Sequence, residues 1–285
     1  MDHRKARKID IHVHWGGGAR AKAKEDLAEQ MRLHREEYGI EKMVVFASSA
    51  ELDQILDKHP DIIPFLHIDM DEESPGRIAE ARRQGCYGVK FILPMRRYDD
   101  DGYLPLYEEC AKQNMIALFH TGVVAGAGGE KQRHKRTSSD FMRPSTLDRV
   151  GRVFPELTII GAHIGYPWYN EAAALQRWHK NIYFDGSTAQ FHYVNDKNRV
   201  PGETRQFPAA LFLKMLYQTG DLHLRKTLFG SDTALCVGRG TGCMDWCLPR
   251  TQQPIEDMGW TQAEVEDFYW NTSKTLLEKA GCTIE

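Results

Sequence analysis

Two histidines stand two residues apart in the run KIDIHVH, His12 and His14. Three more polar residues close apolar runs further along: His120 in IALFHTG, His163 in TIIGAHI and Asp232 in TLFGSD. On an extended strand, residues i and i+2 point to the same face, so His12 and His14 present neighbouring imidazoles. Neutral imidazoles suit a borderline divalent ion such as zinc, and a carboxylate completes such a ligand set. An H-x-H pair alone is weak, and fits two hydrogen-bonded polar residues at a strand end equally well. The joint placement shifts that balance. Burying four imidazoles and a carboxylate without partners costs several kcal/mol each, and a shared divalent cation supplies the missing partner. Such a centre activates water, bringing its pKa near neutrality, and polarises a carbonyl oxygen.

These residues need a scaffold that brings distant segments to one rim. Short runs rich in Ile, Val, Phe and Thr predict strands over 8–14, 42–48, 63–69, 88–93, 116–122, 158–164, 182–187 and 227–232. Their near-continuous hydrophobicity suits parallel strands buried on both faces. Helical patterns fall between and after them, over 23–38, 75–84, 104–113, 145–154, 170–179, 208–218 and 262–280, with a shorter one over 51–58. This alternation predicts an α/β fold, a (β/α)8 TIM barrel in one domain over 1–285, with an open doubly wound sheet as competitor. The long connections 123–144 and 233–260 fall at the carboxyl end of the strands, where barrel active sites are built.

Composition narrows the class. The chain has 285 residues, 41% hydrophobic and 27% charged, as ordinary globular enzymes do. A net charge of −3 offers no general attraction for nucleic acid or an anionic membrane, so neither is expected as a partner. No apolar window is long enough to span a bilayer, and MDHRKARKIDIHVH has no apolar signal core, which predicts a cytoplasmic protein. Six cysteines scattered from Cys86 to Cys282 make no disulfide framework, and Cys236, Cys243 and Cys247 lack a zinc-ribbon spacing. The sequon at Asn271 falls in the predicted last helix.

In their order on strands one, five, six and eight, IDIHVH, FHTG, AHIG and FGSD resemble the amidohydrolase superfamily of metal-dependent barrels. Longer stretches, PLYEECAKQNMIALFHTG, RPSTLDRVGRVFPELTIIGAHIGYPW and NIYFDGS, are similar to its amidohydrolase-related branch. That branch includes amino-carboxymuconate-semialdehyde decarboxylase, resorcylate-type decarboxylases and assorted hydrolases. The resemblance implies His12, His14, His120 and Asp232 as ligands of one divalent ion, zinc first and manganese second. It implies that His163 acts on the substrate or attacking water, and that Asp232 doubles as general base. A small-molecule substrate and a homo-oligomer are also implied.

Lys90 falls on the fourth strand, where binuclear members carry a carbamylated lysine bridging two metals. In the related branch the lysine is an unmodified cation, so Lys90 is expected to hold a substrate carboxylate or pair with Asp232, and a second metal ranks behind. Arg133, His134, Arg136 and Arg143 make the loop after strand five basic. Of these, Arg143, just before the Pro-Ser that opens a helix, best suits an anionic substrate. Trp15, Tyr166 and Trp168 either wall the pocket or simply pack. Asp10 shares the parity of His12 and His14 and is expected one layer beneath them, in a supporting role.

The leading expectation is a metal-dependent hydrolase whose metal-activated water attacks an amide, lactone or related carbonyl of a small anionic substrate. Metal-dependent non-oxidative decarboxylation of an aromatic or unsaturated acid is the alternative. The short connection 15–22 before the first helix tilts the balance to hydrolysis, since decarboxylases of the branch tend to carry a longer insertion there. A metal-dependent nuclease barrel shares the opening H-x-H but takes a glutamate from the strand where Lys90 stands. A non-catalytic binding barrel would be expected to have lost ligands, and all five candidates are present.

Overall fold

Branched and aromatic runs form the strands because alternate side chains can bury on opposite faces. In β2 (Ile40–Ser48), Met43, Val45 and Ala47 join one core cluster while Val44 and Phe46 join another. The computed structural model describes residues 3–16, 24–124, 135–187, 224–235, 244, 248, 251–252, 255–256 and 259–285. The other strands are β1 (Lys8–Trp15), β3 (Ile62–His67), β4 (Gly88–Phe91), β5 (Ile116–Phe119), β6 (Ile159–Gly161), β7 (Ile182–Asp185), β8 (Thr227–Leu228) and β9 (Thr233–Leu235). All pair in parallel, in the order β8-β7-β6-β5-β4-β3-β2-β1-β9.

The two edge strands are halves of a single run. β8 pairs with β7, and β9, five residues on, pairs with β1, so residues 227–235 close the sheet on itself as a barrel. The expected strand over 227–232 is therefore interrupted. Phe229 O accepts from Ile11 N at 3.0 Å and Asp232 N donates to His12 O at 2.9 Å. Between them, a Cβ on Gly230 would lie 2.9 Å from that of His12, and Asp232 has φ +55°. The chain is diverted to pass close under His12.

Helices cover the strands: α1 (Lys24–Tyr38), α2 (Pro75–Arg83), α3 (Leu104–Lys112), α4 (Leu147–Val153), α5 (Tyr169–Trp178), α6 (Gln262–Glu266) and α7 (Thr272–Lys279). α2 shows the local rules: Ser74 precedes it, Pro75 fills its first turn, Arg82 and Arg83 face the negative end of its dipole, and Gly85 follows at φ +105°. Thr261 and Glu264 form a capping box at α6. The expected helix over 262–280 is α6 and α7 joined by a π-turn at Asp267–Asn271, which places Phe268, Tyr269 and Trp270 in the core. Over 51–58 only the 3-10 turn Leu52–Gln54 matches the helical expectation. The helix expected over 208–218, with Arg133, His134, Cys236, Cys243 and Cys247, lies outside the described residues.

Strict alternation fails at two points in β1, the first between Lys8 and Ile9. Its pairing with β2 shifts by one residue between Asp10 and Val13, so shared parity does not place Asp10 under His12. Asp10 Oδ1 instead accepts from the backbone N–H of His12 at 3.2 Å and of Ser231 at 3.0 Å. It ties the first strand to the stretch between β8 and β9, a supporting role of a different geometry. Burial pushes the Asp10 carboxyl up to about 6, against the pull of Ser231 and His12. Among the described residues, no helix is long and apolar enough to cross a membrane.

Candidate metal centre

Each candidate side chain follows a strand or sits near its end. His12 and His14 lie in β1; His120 follows β5, its N–H donating to Phe91 O at 2.8 Å. His163 does not end β6. It lies two residues beyond, in the turn Ala162–Gly165, at φ +63° with Ile164 at +42°. Left-handed backbone at two non-glycine residues in succession is costly, and it is held here by His163 N donating to Asp185 Oδ1 at 3.0 Å.

The structure brings six predicted residues into one cluster. His14 Nε2 lies 3.1 Å and His12 Nε2 3.2 Å from Asp232 Oδ1. Lys90 Nζ lies 3.1 Å from His12 Nε2 and 5.0 Å from the Phe46 ring centre. The rings of His12 and His163 are centred 5.1 Å apart, and His120 Nδ1 lies 3.2 Å from His163 Nε2. His12, Lys90, His120 and His163 are buried, while His14 and Asp232 are partly exposed and mark the open side. Arg143 makes its contacts elsewhere: Nε bonds Glu171 at 3.0 Å, Nη2 reaches the same carboxylate, and the guanidinium stands 4.9 Å from the Trp168 ring centre. Trp15 bonds Gln54 through Nε1 at 2.8 Å, and Tyr166 packs edge-on to Tyr169.

Two residues with no assigned role prove central. Asp185, at the end of β7, is fully buried, with Oδ2 2.7 Å from His12 Nδ1. Ser187, also buried, donates its backbone N–H to Asp185 Oδ1 at 3.0 Å and sets Oγ 2.7 Å from His163 Nδ1. Their sequence signal, a polar ending to the apolar run NIYFDGS, is the same as for His120 and His163.

Burial alone would raise the carboxyl pKa of Asp232 and Asp185, but the charges and hydrogen bonds of their histidine neighbours, led by His12, hold both below the usual carboxylate range. Burial carries His163 down to about 4, and takes His120 well below its ordinary value, with His163 adding to the effect. His14 is lowered by burial against its bond to Asp232. For His12, burial and Lys90 pull down, but Asp185 and Asp232 prevail and raise it. Burial brings Lys90 to about 8 against the same two carboxylates. Neutral imidazoles at His14, His120 and His163 beside ionised carboxylates are the protonation state a divalent cation requires, whereas His12, held up by its two carboxylates, must give up a proton to bind one.

Two donor sets lie close enough to share a cation: His12, His14 and Asp232, and His12, His163 and Asp185. The first fits an ion for a specific reason. A neutral His12 that donates from Nδ1 to Asp185 has only a lone pair on Nε2, which then faces the Asp232 carboxylate. His120 Nε2 is likewise buried, with no hydrogen-bond partner among the described residues. A cation would satisfy the His12, His14 and Asp232 atoms together, while His120 falls in neither donor set.

Gly122 sets the spacing between the loops that carry His120 and His163. At φ +106°, an added Cβ would meet Tyr166 O at 2.2 Å. Gly122→Ala is therefore expected to destabilise the fold by roughly 1–3 kcal/mol, read as a lower urea midpoint at unchanged slope. An unchanged midpoint would show that these loops part without cost.

The family model described as Amidohydrolase matches residues 9–279. No curated protein matches the chain at significant similarity. Among solved structures, an uncharacterized TIM-barrel protein from Bordetella bronchiseptica is 17% identical, with 97% of this chain and 100% of that one covered at a TM-score of 0.67. A putative 2-pyrone-4,6-dicarboxylic acid hydrolase from Pseudomonas putida is 16% identical over 98% and 99%, at 0.60. The 5-carboxyvanillate decarboxylase of Novosphingobium aromaticivorans, complexed with manganese and 4-hydroxy-3-methoxy-5-nitrobenzoic acid, is 12% identical over 96% and 97%, at 0.58. At these identities the likeness is one of fold.

Proposed function

Because this chain belongs to the amidohydrolase family, we propose that it is a metal-dependent hydrolase of a small anionic substrate carrying an amide, lactone or related carbonyl. The observation that carries this reading is the convergence of His12 Nε2 and His14 Nε2 on Asp232 Oδ1, at 3.2 and 3.1 Å. His12, His14, His120 and Asp232 would hold one divalent ion, zinc before manganese; the manganese in the solved decarboxylase supports the second choice. When bound, such an ion lowers the pKa of water and polarises a carbonyl oxygen.

The chain's own groups supply the proton transfers and the orientation. Asp232, ionised and partly exposed, takes the proton of the attacking water. His163, neutral at physiological pH, receives the proton drawn from the water and delivers it to the leaving group. Lys90, a buried cation beside His12, binds a substrate carboxylate. Arg143 is assigned to the outer end of the substrate through Nη1, which stands 3.8 Å from Asp140 Oδ1, since Nε and Nη2 are committed to Glu171.

The position of Lys90 also favours a second reading. A carboxylate drawn to it would lie beside the metal ligands, as loss of carbon dioxide from an aromatic or unsaturated acid requires. Parallel assays separate the two on protein purified without chelator. Lactone ring opening that needs the metal supports hydrolysis, and carbon dioxide release from hydroxybenzoates that needs the metal supports the carboxy-lyase. Less than about a tenth of an equivalent of metal, unrecovered on adding zinc or manganese, would overturn both and leave a binding barrel.

A further inference from the structure

We propose that His67 is a further substrate-binding residue, and that with Lys90 it forms a two-donor seat for one substrate carboxylate on the β3–β4 side of the barrel mouth. This seat rests on the reading of Lys90 above as the partner of such a carboxylate, and extends it to a residue with no assigned role.

The inward direction of His67 follows from its neighbours in β3. Phe65, two residues before it, lies with Ile63 in the core cluster of the barrel interior, whereas Leu66 packs in the core beneath the helices. The register of β3 with β2 and with β4 runs without a shift, so alternation turns His67 to the face of Phe65, one layer nearer the mouth. The ladder with β4 pairs Phe65 with Gly88 and His67 with Lys90, and Ile68 N donates to Lys90 O at 3.2 Å just beyond. In parallel strands such partners point to the same face from backbones about 4.8 Å apart. The lower pair shows how these side chains meet: a Cβ on Gly88 would lie 2.3 Å from Phe65 Cε2, so the Phe65 ring fills the space over its partner. One layer up, Lys90 has a side chain where Gly88 has none, and the imidazole of His67 is set beside it. Lys90 is buried, while His67 is partly exposed, as are His14 and Asp232 on the open side.

Lys90 alone does not orient a carboxylate. An ammonium acts as a point charge, whereas two converging N–H donors fix the carboxylate plane. An imidazole carries at least one N–H in either tautomer and when protonated, so this second donor does not depend on titration. Ser48, the partner of His67 on β2, donates its hydroxyl to Glu51 at 2.7 Å, which leaves His67 as the donor on this ladder. The floor is apolar: Lys90 Nζ stands 5.0 Å from the Phe46 ring centre, and the Phe46 and Phe65 rings are centred 6.1 Å apart. Two polar donors above an apolar floor suit a carboxylate joined to an apolar body. With Lys90 Nζ 3.1 Å from His12 Nε2, the carboxylate lies beside His12, and the reacting carbonyl is left to the side where His14 meets Asp232. The substrate class is a carboxylic acid whose carboxylate is close to the reacting carbonyl and distinct from it.

Calorimetric titration of the full chain, metal-free and zinc-loaded, with 2-hydroxybenzoate and its neutral counterpart 2-hydroxybenzamide reads the seat. The parent is expected to bind the acid more tightly than the amide. His67→Leu is expected to weaken the acid roughly 10–100-fold and the amide less than about threefold. His67→Asn and His67→Gln restore an N–H near the place of Nδ1 or of Nε2, and at least one of them is expected to recover the preference for the acid. Should the leucine variant not fold, NMR of the histidine-labelled parent decides: the His67 ring resonances, assigned against His67→Gln, are expected to shift with the acid and not with the amide. A parent that binds both probes alike, a His67→Leu variant with no loss or with equal losses, recovery by neither amide variant, or His67 resonances unmoved by the acid would overturn the proposal. A chain that prefers the acid through His67 yet opens no lactone with any metal supports the seat and contradicts the hydrolase reading alone. Metal-dependent lactone opening by a chain that binds both probes alike overturns the seat and leaves that reading standing.

Discussion

Asparagine in place of Asp232 is expected to lower kcat by roughly 10²–10⁴-fold on whichever substrate the parallel assays identify. Two effects combine. The carboxylate is the only anion placed against both Nε2 atoms, at 3.1 Å from His14 and 3.2 Å from His12 among the described residues. An amide there removes the charge that attracts a divalent ion, and its NH2 cannot take a proton from water. Asparagine also tolerates the left-handed backbone at this position, φ +55°, so the barrel is expected to persist. The checks are steady-state kinetics with added zinc or manganese, and circular dichroism for the fold. Activity within about tenfold of the parent, on a folded and metal-loaded variant, would remove Asp232 from the chemistry.

Stability between pH 8 and 10.5 isolates Lys90. Its ammonium is fully buried, and burial lowers its pKa from 10.5 to about 8 against the opposing pull of Asp185 and Asp232. In the unfolded chain the lysine keeps its proton up to about 10.5, while in the folded one it releases it near 8. Across that window the unfolded state binds more protons, so folding stability rises with pH. The contribution is complete above pH 10.5 and is lost as pH falls through 8. At roughly 1.4 kcal/mol for each pH unit, the fall from 10.5 to about 8 amounts to about 3 kcal/mol. Lys90→Met has no such proton, so the stability of the parent relative to this variant is expected to climb by that amount over the window. Urea unfolding of both metal-free chains at several pH values measures it, since the other titrating groups cancel in the difference. A flat difference would place Lys90 in contact with solvent or in a permanent ion pair.

The barrel was legible because its signals are local and repeated: parallel strands buried on both faces show as apolar runs, and helices open and close on residues such as Pro75 and Gly85. His12, His14, His120, His163 and Asp232 were legible because a polar residue closing an apolar run needs a partner. Asp185 carries that same signal, and went unassigned because the expected ligand set was complete without it. The break in the last strand was not legible, since it arises from Gly230 passing under His12 and from Asp10 bonding Ser231, contacts over 200 residues apart in the chain. The bulge after Asp10 has the same origin: one extra residue in β1 relative to β2 leaves no mark in either segment alone. Arg143 shows the converse case. Its place before a helix suggested an anion site, and its partner Glu171 comes from the next helix, a pairing that no local pattern discloses.

The proposed centre is one ion shared by four side chains. Anomalous scattering from crystals grown with zinc, collected on either side of the zinc edge, tests this most directly. The predicted result is a single peak at about 2.0–2.2 Å from Nε2 of His12, His14 and His120 and from an Asp232 oxygen, with Lys90 unmodified. A peak within the Asp185 set, a second peak bridged by a modified Lys90, or no peak at all would contradict it.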